Sequence, residues 1–140
     1  WSRRGSMASK PETNFRLRIE RALSRSIHRE KMNNPFRGGT ADCWYSGRSD
    51  DLWVEYKFLP QLPQRGIVDA KRIGLSMLQL QWLRGRYEEG RNVCVITGCP
   101  SGGVIMLDLE WEAGITAETF RERTFSVKEL AAWIECKTSR

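Results

Sequence analysis

The sequence predicts a mixed α/β fold built as one domain. Three observations carry that expectation. Apolar residues recur at helical spacing in some segments and alternate strictly in others. Helical and strand-like segments are interleaved along the chain. The 140 residues, 40% hydrophobic and 29% charged, suffice for one buried core and fall short of two ordinary domains. Trp1 to about Ser6 read as a cloning remnant, Met7 as the native start, and residues 7–140 as the domain.

The first element is a helix from about Thr13 to Lys31. Phe15, Ile19, Ala22, Leu23 and Ile27 fill one arc at 3.6-residue spacing, and Arg18, Arg21, Arg25 and Arg29 form a separate stripe. That stripe is either a solvated charged face or a set of phosphate contacts. Glu20 lies beside the apolar arc; it either points toward an interior site or pairs with a neighbouring arginine. Asn33 to Gly39 reads as a loop, Thr40 to Tyr45 as a strand, and Ser46 to Asp50 as a turn. Leu52 to Phe58 is the clearest strand, with Leu52, Val54, Tyr56 and Phe58 alternating with Trp53, Glu55 and Lys57.

A long Pro- and Gly-punctuated loop follows from Leu59 to Gly74 and carries Arg65, Lys71 and Arg72. It is either a connector or a flap over bound substrate. A second helix runs from Met77 to about Glu89. Ser76 with Gln79 forms a capping box, and Leu75, Leu78, Trp82 and Leu83 form its buried arc. Asn92 to Thr97 is an apolar strand, Gly98 to Gly103 a turn, and Val104 to Leu107 a returning strand. Ser126 with Glu129 caps a last helix through about Glu135.

Composition excludes several functions. No apolar run reaches the ~18–20 residues of a membrane span. His28 is the only histidine, and Cys43, Cys94, Cys99 and Cys136 form no C-x-x-C pair, which argues against structural zinc. One imidazole also weakens any Ser-His or Cys-His nucleophile. Without a secretory leader, reduced thiols in a cytoplasmic setting are expected, that of a host if the chain is phage-encoded. Lys and Arg number 23 against 17 acids, for a net charge of +6 that suits a polyanionic partner.

Chemistry must therefore rest on carboxylates, lysines and a hard cation. Glu55 and Lys57 share one strand face. If the preceding strand forms a hairpin with theirs, Asp42 approaches Glu55 on the same face. Two carboxylates and an ammonium on an apolar sheet suit phosphodiester hydrolysis assisted by Mg²⁺ or Mn²⁺. The alternative is a solvated Glu-x-Lys ion pair. Trp44 and Trp53 fall by parity on the faces of Asp42 and Glu55, where they either wall the site or stack on a base, and Trp82 is expected in the core.

Gly39-Thr40-Ala41-Asp42 followed by Trp53-Val54-Glu55-Tyr56-Lys57 resembles the D…(D/E)-x-K signature of the PD-(D/E)XK nuclease superfamily, with Ala41 where proline is usual. Leu75-Ser76-x-x-Gln79-x-x-Trp82-Leu83 and the Val93–Thr97 strand are similar to the next block of its VRR-NUC-like and phage Holliday junction resolvase-like members. The resemblance spans about Glu20 to Leu107.

It implies a restriction-endonuclease-like α-β-β-β-α-β core, a mixed sheet flanked by helices. It implies metal on Asp42 and Glu55, joined by Glu20, with Lys57 catalytic and Gln79 orienting the site. Arg21, Arg25, Arg65, Lys71 and Arg72 would hold phosphates. The function implied is a Mg²⁺- or Mn²⁺-dependent DNA endonuclease, structure-selective for branched DNA and working as a homodimer. The competing expectations are a non-catalytic nucleic-acid-binding module on the same fold and a basic protein whose partner is another protein.

Overall fold

The computed structural model describes residues 10–32 and 39–139. The start at Met7 and most of the Asn33–Gly39 loop lie outside these. The described elements are α1 (Lys10–Ala22), β1 (His28–Lys31), β2 (Cys43–Ser46), β3 (Asp51–Phe58), β4 (Ile67–Val68), α2 (Ala70–Ile73), α3 (Met77–Glu88), β5 (Val93–Cys99), β6 (Gly102–Met106), α4 (Glu110–Ala113), β7 (Ile115–Thr116), α5 (Ala117–Glu122) and α6 (Val127–Ser139).

Five strands form one mixed sheet in the order β1-β2-β3-β5-β6. β3 and β5 run parallel, and every other pair in that sheet is antiparallel. The parallel pair requires a crossover, which α3 supplies. α1 and α6 cover one face, burying Phe15, Ile19, Leu130 and Ile134 against Cys43, Tyr45, Val54, Tyr56 and Ile96. The opposite face packs Val93, Val95, Val104 and Met106 against Leu83, Trp111 and Phe120. All seven residues of β5 are buried, because both of its faces are covered. The α-β-β-β-α-β order is present as α1-β1-β2-β3-α3-β5.

Periodicity misplaces one boundary. The helix expected to continue to Lys31 stops at Ala22, and His28–Lys31 is an edge strand paired with β2. Apolar spacing continued through Leu23 and Ile27, which are buried outside the helix. Arg29 ends the helix from outside it, donating to the carbonyls of Glu20 and Ser24 at 2.7 Å each. Its guanidinium thereby adds a second donor to carbonyls that already accept from the Leu23 and Ile27 amides.

The long loop also holds structure. β4 pairs with β7, and Asp69 caps the short α2 by accepting from the Arg72 amide. Leu78, expected in the buried arc of α3, is 56% exposed. The last helix extends past Glu135 to Ser139, and its Ser126–Glu129 capping box is formed. Among the described residues no helix is long and apolar enough to cross a membrane.

Gly98 sets how closely α1 approaches the sheet. A Cβ there would lie 2.7 Å from the Phe15 ring, so glycine lets that ring rest directly on the backbone. This seats the first turn of α1, and with it Glu12, beside the end of β3.

Candidate active site

Asp42 precedes β2, and the register Cys43↔Val54 carries it to the level of Glu55. The Tyr56 amide donates to Asp42 Oδ2 at 3.0 Å, tying that carboxylate to the backbone between Glu55 and Lys57. Lys57 Nζ lies 3.6 Å from Glu55 Oε2. Both side chains are nearly inaccessible: Glu55 is 1% exposed and Lys57 8%. Asp42, Glu55 and Lys57 therefore converge, as strand parity predicts.

Gln79 completes the group through both ends of its amide. Its Oε1 accepts from the Ser76 amide at 2.9 Å, while the Gln79 amide donates to Ser76 Oγ at 3.1 Å. Its Nε2 donates to Glu55 Oε2 at 2.9 Å. The side chain that caps the helix also bonds Glu55, so the two alternatives open in the sequence do not exclude each other. The cap fixes the amide so that its N–H points at Glu55. Gly39 brings the start of this region against α3: its φ is +99°, and a Cβ would meet the Leu78 carbonyl at 2.4 Å.

Glu55 Oε2 is thus fully engaged, whereas Oε1 is buried with no hydrogen-bond partner. Burial, and after it the neighbouring Asp42 charge, pushes this carboxyl well above its ordinary range; Lys57 opposes the shift. A desolvated carboxylate facing a second carboxylate is an unfavourable arrangement that a cation relieves. Among the described residues no three His, Cys, Asp or Glu side chains gather so as to hold a metal ion together. Mg²⁺ does not need three, because it keeps several waters and binds through one or two carboxylates. The donor set of Asp42 and the free Glu55 oxygen fits such an ion.

Glu20 does not join this group. Its Oε1 accepts from Arg16 at 2.9 Å and its Oε2 from the Tyr45 hydroxyl at 2.7 Å. The Tyr45 and Tyr56 hydroxyls meet at 2.8 Å on that same side of the sheet. The acidic residue that α1 brings toward the site is Glu12, whose carboxyl is raised by burial, lowered by Lys57 and raised by Asp42. Glu12, Thr13, Arg16, Lys31, Asp42 and Tyr56 line a cleft of about 100 Å³. Glu12 escapes the sequence reading because the helix begins at Lys10, three residues before the expected Thr13. Its signal was a position one turn before Arg16 and two before Glu20.

The predicted phosphate-binding residues divide. Arg21 and Arg25 line a depression with Leu17, Glu20, Leu23 and Arg29 at the far end of α1. Arg65 and Arg72 belong to the segment after β3, where the Arg72 guanidinium donates to the Arg65 carbonyl at 2.8 Å. Lys71 is exposed on α2 beside them. Neither set lines the Asp42 cleft.

Cysteine chemistry is absent from the site. Cys43, Cys94 and Cys99 are buried free thiols, and burial with the nearby Glu20 charge pushes Cys43 up to about 12.

No family model matches the chain, and no curated protein matches it. Its architecture does resemble a solved structure. Hjc of Archaeoglobus fulgidus, a Holliday junction resolvase from an archaeal hyperthermophile, superposes with a TM-score of 0.53 at 15% identity. The alignment covers 89% of this chain and 98% of that one. At this identity the likeness is one of fold: a five-stranded mixed sheet flanked by helices, in the restriction-endonuclease-like arrangement of that resolvase.

Proposed function

We propose that this chain is a metal-dependent DNA endonuclease, selective for branched DNA. The observation that carries the reading is the Glu55 carboxylate: buried, held on one oxygen by Gln79, and unpartnered on the other beside Asp42. A buried carboxylate kept only for structure normally has both oxygens hydrogen-bonded. This arrangement leaves one donor open at the point where Asp42 and Lys57 also converge.

Asp42 and Glu55 would hold Mg²⁺ or Mn²⁺, and the bound ion would polarise the scissile phosphate and lower the pKa of a coordinated water. Gln79 and the Tyr56 amide hold the two carboxylates in place. Lys57 presents N–H donors to the attacking water and to charge developing on the phosphate. Glu12 adds negative potential at the mouth of the cleft. Arg65, Lys71 and Arg72, after β3, would meet phosphates outside the cleft, and Arg21 and Arg25 phosphates along the far end of α1. Within this fold we place the chain nearest the VRR-NUC-like and phage resolvase-like nucleases, on Leu75-Ser76-x-x-Gln79. Resolution of a junction needs two cuts, so we infer a homodimer. Reduced buried cysteines suit a cytoplasmic setting.

The test is cleavage of end-labelled duplex, single-stranded, flap and four-way-junction DNA with Mg²⁺, Mn²⁺ or EDTA, beside Lys57→Ala. Metal-dependent cutting lost in the variant supports the reading, and preference for the flap or the junction over plain duplex supports the selectivity. Salt-sensitive binding without cutting under every metal would leave a non-catalytic DNA-binding module instead.

A further inference from the structure

A row of aromatic side chains crosses the sheet on the face that carries Glu55 and Lys57. His28 on β1 meets Trp44 on β2 at 5.3 Å between ring centroids. Trp44 meets Trp53 on β3 at 6.3 Å, and Trp53 meets Trp82 on α3 at 5.3 Å. The Arg86 guanidinium lies 5.8 Å over Trp82. The three tryptophans are half-buried, and His28 is exposed. The opposite side chains of β2, Cys43 and Tyr45, are completely buried. Trp53 and Trp82 pack on one side against the core of that face, and all three tryptophans keep part of their surface in water, as rings with an apolar body and a polar handle can.

The row is in register with the site. Along β3 the same face carries Lys57, Glu55 and Trp53 at two-residue steps of about 7 Å. Along α3 the facing residues are Gln79, Trp82 and Arg86, one helical turn apart and in the opposite direction. Gln79 therefore meets Glu55, and Trp82 meets Trp53. The next step reaches a cavity of about 620 Å³ lined by Trp53, Arg48, Arg86, Arg91 and Asn92, together with Asp50 and Asp51. Its two carboxylates are engaged internally: Asp50 accepts from the Asp51 amide and Asp51 from the Ser46 hydroxyl. Arg86 shares its charge with Glu89 at 2.8 Å. Arg48 and Arg91 are exposed at the rim.

From this succession of hydrolytic group, aromatic shelf and guanidinium-lined cavity, we infer that the Trp44–Trp53–Trp82 row is a subsite for unpaired nucleotides adjoining the scissile bond. Bases stack on the tryptophans, and the following phosphates are met by Arg48, Arg86 and Arg91. A stacked duplex keeps its base faces to itself and cannot use such a shelf, whereas single strand can. The inference deepens the nuclease reading and rests on it for the position of the cut. It assigns the preferred substrate as one with a frayed or single-stranded segment beside the cleaved phosphate.

Binding of an oligothymidylate of about twelve nucleotides, followed in EDTA by quenching of tryptophan fluorescence and by anisotropy of a labelled strand, tests the subsite without catalysis. A blunt duplex of similar length is the control. Trp44→Ala is expected to weaken single-strand binding about tenfold, and duplex binding less than twofold. Trp44→Tyr is expected to restore most of the loss, because it keeps a π-face; Trp44→Leu, which keeps apolar bulk, is not. Equal weakening of single strand and duplex, rescue by leucine as good as by tyrosine, or unchanged binding would each overturn the assignment. The two proposals fail separately. Strand-selective binding with no cleavage of any substrate would remove the nuclease and leave the subsite, while metal-dependent cleavage indifferent to Trp44 would do the reverse.

Discussion

Glu20 and Glu55 lie on opposite sides of the same sheet, and both approach β3. Glu20 is balanced: Arg16 meets one oxygen and Tyr45 the other, in a network closed by the Tyr45–Tyr56 pair. Glu55 is left unbalanced, with Gln79 and Lys57 on one oxygen, no donor on the second and the Asp42 carboxylate beside it. A satisfied carboxylate holds elements together, whereas an unsatisfied one is poised for something that the folded chain does not itself supply. Substitutions at the two residues should separate stability from chemistry.

The largest effect belongs to Glu55. Glu55→Gln should lower metal-dependent cleavage by about a thousandfold or more, through loss of a metal-binding charge. Its metal-free melting temperature above neutral pH should stay unchanged or rise, since a desolvated charge is removed. Single-turnover cleavage and thermal melts read the two quantities. A fall in stability without a fall in rate would erase the contrast.

Lys57→Ala should reduce single-turnover cleavage by about 10²–10⁴-fold while leaving DNA affinity within a few-fold. Gln79 divides the contrast more finely. Gln79→Ala loses the cap and the bond to Glu55 together, and should lower cleavage by about 10–100-fold. Its cap loss adds about 1 kcal/mol of instability. Gln79→Glu retains an acceptor for the Ser76 amide but sets a carboxylate against Glu55 Oε2, so its metal-free melt should fall below wild type, and its cleavage should stay impaired until metal offsets the repulsion. Metal titration of cleavage rate checks this.

Glu20→Gln should do the converse of Glu55→Gln. Losing the charge-assisted bonds to Arg16 and Tyr45 costs about 1.5–3 kcal/mol in a denaturant melt. Cleavage by the folded fraction should stay within about threefold.

The smallest effect is the pH slope. The folded pKa of Glu55 is raised above the ordinary 4.5, so its contribution to stability is complete below that value and is lost as pH climbs through the raised one. The metal-free unfolding free energy should therefore decline across that window, by about 1.4 kcal/mol for each tenfold gain in proton affinity on folding, and the melting temperature with it. Mg²⁺ or Mn²⁺ should flatten the decline, and Glu55→Gln should abolish it.

Much of this was legible because it is local. Strict alternation in Leu52–Phe58 placed Glu55 and Lys57 on one face, and the Ser76–Gln79 spacing announced a cap that is formed. The hairpin brought Asp42 level with Glu55 because the Ser46–Asp50 turn is short. Strand parity also put Trp44 and Trp53 beside each other.

What was misread depends on contacts between distant segments. Leu23 and Ile27 extended a helical pattern, but burial outside the helix and the reach of Arg29 decided that α1 stops at Ala22. Glu20 and Glu12 occupy similar edges of the same helix. Only the packing of Phe15 over Gly98, and the position of Tyr45 across the sheet, decide which one turns toward the site. Trp82 packs against the core as expected, but stays half-buried because it also meets Trp53. The sequence by itself determined the alternation, the caps and the chemical types at the site, since these follow from periods of 2 and 3.6 and from side-chain identity. Tertiary structure decided which carboxylate is satisfied and which is left open, because hydrogen-bond satisfaction is settled between elements that meet only once the chain has folded.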